Sequence, residues 1–109
     1  MNFSQMMKNF SASLPGTETF KLANAECLAV IRDEPFQASA AFLIAGFCRS
    51  YVLIYEEEAL EMDFARRNHN NLHGYMKTLD LALATYSPED VLKALNDVVH
   101  HYVKSDRIF

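Results

Sequence analysis

The densest concentration of chemistry in the chain is a run of acids: Glu56, Glu57, Glu58, Glu61 and Asp63, with no basic residue between Arg49 and Arg66. Carboxylates in such number serve three ends. They solvate a helix face, they bind a metal ion, or they form a negative patch that steers and docks a basic partner protein. On a helix, Glu57–Glu61 and Glu58–Glu61 are like-charge neighbours, each costing about 0.2–0.5 kcal/mol. A solvated helix face is the plainer reading, but a cost retained without visible compensation suggests use, most simply docking. The partner-binding residues are therefore expected to be Glu56, Glu57, Glu58, Glu61 and Asp63.

His69-Asn70-Asn71-Leu72-His73 is the second constellation. Histidines four apart lie about one helical turn from each other and can pinch a metal ion. The zinc-protease pattern needs Glu directly after the first histidine, and Asn70 stands there. His69 and His73 are thus the ligands of an alternative reading, a metal-binding helical bundle completed by nearby carboxylates. The plainer reading is polar residues at a helix start. His100 and His101 are adjacent and point about 100° apart, so they cannot share a face. Asp97 is placed to pair with His101 at i,i+4.

No catalytic residue is indicated. There is no G-x-S-x-G elbow. The glycines at 16, 46 and 74 are isolated, so there is no phosphate-cradling loop and no cofactor is expected. Cys27 and Cys48 are far apart, each inside an apolar run, which reads as two buried reduced thiols and not as a disulfide or a nucleophile. A net charge of −4 speaks against gripping nucleic-acid phosphates. The first residues, MNFSQMMKNFSASLPG, hold no continuous apolar core of a signal sequence. Cytoplasmic residence is the expectation.

The elements that must position these groups read as helices. The chain has 109 residues, half of them hydrophobic, with only three Gly and three Pro. That is enough to build a core and too few turn formers for a small β-barrel or sandwich. From Ala38 to Tyr55 the sole charge is Arg49. A membrane span is disfavoured by that central arginine and by the absence of basic flanks. Paired strands are disfavoured because no tight-turn signal lies between 46 and 50. Phe36, Ala40, Leu43, Phe47, Tyr51, Ile54, Met62 and Ala65 follow one face at about 100° per residue. Phe42, Leu53, Leu60 and Phe64 form a second stripe, so this helix should meet more than one neighbour. The reading is one long central helix over about 35–67, supported by an Asp63–Arg67 pair at i,i+4. Arg49 must find a carboxylate or reach solvent.

Around it, residues 3–13 read as a short amphipathic helix ended by Pro15-Gly16. Thr17 or Thr19 should cap a helix to about Arg32, with Phe20, Ala23, Cys27 and Ile31 on its buried face. Asp33-Glu34-Pro35 is a boundary. Residues 66–74 read as a helix end, a loop and a new start, followed by Leu72, Met76, Leu79 and Leu83 on one face. Ser87-Pro88-Glu89-Asp90 is a strong helix start. Val91, Leu95, Val98 and Tyr102 follow on one face, Leu92, Val99 and Val103 widen it, and Lys104 and Arg107 stand near the end.

The expectation is an all-α fold: one domain, residues 1–109, a compact bundle of about five helices with a long central helix at about 35–67. The function expected of it is non-enzymatic protein binding, of adaptor, inhibitor, immunity or chaperone type, through an acidic helix face. A basic partner protein is favoured, with no nucleic acid and no membrane. A homo-oligomer, with the two-sided central helix packed across a symmetry axis, is the other arrangement the pattern allows.

Overall fold

The computed structural model describes residues 1–106 and 109. Among them are five α-helices, one 3₁₀ turn and no strand, in the order α1 (Phe3–Ala12), α2 (Thr17–Asp33), the 3₁₀ turn (Pro35–Gln37), α3 (Ala38–Tyr55), α4 (Met62–Leu83) and α5 (Pro88–Lys104). The radius of gyration is 13.2 Å. Roughly 13 Å is expected of a compact chain this long. The all-α bundle is as expected.

Helix α1 starts from a reciprocal cap, with Asn2 accepting from the Gln5 amide and Gln5 accepting from the Asn2 amide, both at 2.9 Å. It buries Phe3, Met6 and Phe10. Gly16 takes φ 142° and serves as N-cap of α2. Residues with a Cβ rarely adopt that conformation. Neither threonine caps that helix; the Thr19 hydroxyl instead donates back to the Leu14 carbonyl. The buried face of α2 is Phe20, Ala23, Cys27 and Val30, with Ile31 only half-buried. The boundary at Pro35 holds. The α5 cap holds too, the Ser87 hydroxyl accepting from the Asp90 amide at 3.3 Å. Helix α5 buries Val91, Ala94 and Val98, whereas Leu92, Val99 and Val103 are exposed. Lys104 lies in the last turn; Arg107 lies outside the described residues.

Two boundaries differ from the sequence reading. The long helix over 35–67 is two helices, broken at 56–61. The cause is aromatic packing. Tyr55 and Phe64 meet edge to face with centroids 5.4 Å apart. Nine residues of continuous helix would hold them about 13.5 Å apart. Tyr51 and Asn68 are hydrogen-bonded at 3.3 Å. The two pairs have the same sum of residue numbers, the register of antiparallel neighbours, and Phe47 on Tyr75 (5.6 Å) extends it. Conversely, residues 66–74 are not a loop but the interior of α4. Asn and His are mediocre helix formers, but Ala65, Asn68, His69, Leu72 and Met76 form a continuous buried stripe, and packing outweighs propensity.

Helices α2 and α3 form the most intimate pair. Helix α1 lies on α2 and α4, and α4 carries α5. The segment Pro35–Tyr55 is long and apolar enough to cross a membrane. In this fold its Ala40, Ala41, Ile44, Ala45, Phe47, Cys48 and Tyr51 are buried in the core. The centre is aromatic, with Phe20 stacked on Tyr51 at 3.8 Å, Phe10 edge-on to Phe20 at 5.4 Å, and Phe109 buried among them.

Candidate functional site

The acidic run occupies the corner between α3 and α4 and not a helix face. The Glu56 amide still donates to the Val52 carbonyl (2.9 Å) and the Glu58 amide to Tyr55 (3.0 Å), after which the helix stops. Glu61 is extended, at φ −65° and ψ 145°, and acts as N-cap residue of α4, its carbonyl accepting from the Ala65 amide at 3.0 Å. The five carboxylates therefore divide by helix dipole. Glu61 and Asp63 stand at the positive end of α4, where acids are favourable. Glu56, Glu57 and Glu58 stand at the negative end of α3, where they are not. The last turn of α3 supplies no basic residue to offset them.

Two of the five are partnered. Lys21 of α2 pairs with Glu56 and, at 3.2 Å, with Glu18; Glu56 first and Glu18 second raise the lysine's pKa. Asp63 pairs with Arg66 at 3.5 Å, not with Arg67. Glu57, Glu58 and Glu61 have no ion pair among the described residues and are exposed. Set among them are apolar side chains left uncovered: Ile54 is 48% exposed and Met62 57%. The corner thus presents open carboxylates and aliphatic surface together.

Arg49 is exposed, its guanidinium 5.6 Å from the centre of the Phe42 ring, close enough for a cation–π contact. It has no carboxylate partner among the described residues. The lone charge of the apolar run is therefore a surface residue.

The alternative ligands, His69 and His73, are set differently. His69 is buried, its ring stacked on Phe10 at 4.1 Å and 10°. Burial, then the neighbouring His73, lowers its pKa, and its Nδ1 has no hydrogen-bond partner among the described residues. His73 is half-buried and also lowered, by burial and then Lys77. Among the described residues no group of three His, Cys, Asp or Glu is placed to hold a metal ion. His69 serves as a flat ring in the core.

His101 does not pair with Asp97, which takes Lys93 at 3.1 Å; its Nδ1 lies 2.8 Å from the Tyr75 hydroxyl. That contact lines a shallow hollow of about 450 Å³ between α4 and α5. Burial pushes the Cys27 thiol up to about 12, with Glu26 adding to it, and Cys48 is raised by burial and then by Cys27. Both remain protonated and unreactive near neutrality. Sequence reasoning missed the Asn68–Tyr51 bond, although a signal existed: Asn68 falls on the buried stripe between Ala65 and Leu72.

No protein-family model, curated protein or solved structure matches this chain.

Proposed function

We propose that this chain is a non-enzymatic protein-binding module whose α3–α4 corner docks a basic, amphipathic segment of another protein. One observation carries the reading: Glu57, Glu58 and Glu61 lack ion-pair partners among the described residues, in a corner that also exposes Ile54 and Met62. Glutamates at a helix C-terminus are locally unfavourable. Exposed aliphatic groups beside them give a partner area to bury, while the charge sets orientation and speeds encounter. A helix with lysines or arginines along one edge and leucines along the other matches both properties. The metal-binding alternative draws less support, because the His69 ring is committed to Phe10.

The test is fluorescence anisotropy with a labelled amphipathic peptide of leucine and lysine heptads. The wild-type chain should bind it. Binding should weaken at least tenfold in Glu57→Lys/Glu58→Lys/Glu61→Lys, and again when salt is raised until the Debye length falls to about 3 Å. Equal binding by the charge-reversed chain refutes the site.

A further inference from the structure

Beyond the acidic corner, α3 carries an exposed seam that its own fold leaves uncovered. Ser39, Phe42, Gly46, Arg49 and Leu53 recur at alternating steps of three and four, the spacing of a helix-pairing interface. Phe42 is 62% exposed and Leu53 85%. We propose that this chain forms a two-fold symmetric homodimer in which α3 packs antiparallel on α3 of a second copy, crossing at Gly46.

Gly46 is the first reason. Mid-helix glycine is unfavourable, and nothing inside the protomer requires it: a Cβ there would meet only the flexible tip of Arg49, at 3.9 Å. An outside backbone approaching closely does require it. Glycine at a crossing point lets two helix axes draw to the short end of their usual separation, about 8–10 Å.

The second reason is that the seam is its own complement. With Gly46 on the two-fold axis, Ser39 of each protomer lies opposite Leu53 of the other, small against large. Phe42 lies opposite Ser50. There α2 and α3 form a hollow of about 260 Å³ lined by Lys21, Asn24, Arg49, Val52 and Leu53. A dry cavity of about 150 Å³ already accepts benzene, so this one admits a phenyl ring. Each Phe42 becomes a knob in the other protomer's hollow, an isologous arrangement that uses one surface twice.

The aromatic partner that Arg49 takes favours a second copy over a generic aliphatic helix. Arg49 already faces its own Phe42, and antiparallel crossing brings the other Phe42 to it, a second cation–π contact. The two Arg49 residues stand about 9 Å apart along the axis, three residues to either side of the crossing at about 1.5 Å each, so screening limits their repulsion. Helix α3 has no acid in its first turn and no base in its last, and an antiparallel mate sets its opposite dipole end against each. The two acidic corners then lie at opposite ends of the dimer.

Sedimentation velocity on the intact chain tests this. The 12.4 kDa protomer should sediment at twice its mass. A loading of about 100 µM populates any micromolar dimer. Phe42→Glu and Leu53→Glu should be monomeric with unchanged helical circular dichroism. Gly46→Ala separates dimerisation from folding. It should raise the melting temperature of dilute, monomeric protein yet weaken association at least tenfold. A wild-type chain that stays monomeric, a Phe42→Glu variant that still dimerises, or a Gly46→Ala variant that associates as tightly as wild type overturns the proposal. Glu58→Lys/Glu61→Lys should leave the dimer intact, so failure at the corner and failure at the seam are told apart.

Discussion

Tyr51→Phe removes one oxygen from the centre of the bundle and should cost more than its size suggests. The Tyr51 hydroxyl accepts from Asn68 Nδ2 at 3.3 Å, and Asn68 is fully buried, its Oδ1 without a partner among the described residues. Without the hydroxyl, neither end of that amide has a partner. The lost bond is worth about 0.5–1.5 kcal/mol and the stranded amide about 1–3 kcal/mol, so a loss of about 2 kcal/mol is expected. A chain of this size holds only about 5–15 kcal/mol in total, so the melting temperature should fall by roughly 10 °C. Asn68→Leu removes the unpartnered Oδ1 together with the bonded Nδ2, leaves one unpaired hydroxyl, and should cost under about 1 kcal/mol. In Tyr51→Phe/Asn68→Leu both polar partners are gone and most of the stability should return. Urea unfolding followed by far-ultraviolet circular dichroism gives all three values. Tyr51→Phe within about 0.5 kcal/mol of wild type, or a double variant worse than Tyr51→Phe alone, refutes the account of what holds α3 against α4.

Acid should weaken the fold through His69 and His73. Their folded pKa values lie below the ordinary 6.5, so the unfolded chain binds these protons more readily. Their contribution is complete above 6.5 and drains away as pH falls through it toward the lowered folded values. His69→Phe, which keeps the stacking on Phe10, should flatten the pH dependence of the urea midpoint; an unchanged slope contradicts the assignment. Ser87→Ala should cost about 1 kcal/mol by removing the α5 cap, a loss readable as a lower urea midpoint.

The helices were legible where periodicity and capping agreed. Ser87-Pro88 and the α1 stripe of Phe3, Met6 and Phe10 needed no tertiary information. The corner at 56–61 was hidden because both halves, the apolar run to Tyr55 and the stretch from Met62, are helix-compatible, and the stripe Tyr51, Ile54, Met62, Ala65 continues across the break. Contacts between the two halves, Tyr55 with Phe64, Tyr51 with Asn68 and Phe47 with Tyr75, mark the reversal, and these depend on two helices being adjacent. Residues 66–74 misled in the opposite direction: asparagine density imitated a loop, while the side chains of Asn68 and His69 were core residues. The acidic residues were visible as a cluster. Their division between two helix ends of opposite dipole was not, because it follows from the break itself. Arg49 could be read only as a charge needing an outlet, since its exposure depends on which face of α3 meets α2.

Affinity capture from the native host, comparing the wild-type chain with Glu57→Lys/Glu58→Lys/Glu61→Lys, tests the central claim most directly. The wild type should retain a basic protein that the charge-reversed chain, equally folded by circular dichroism, no longer holds. The same proteins recovered with both chains, or an acidic protein as the main species, would contradict it.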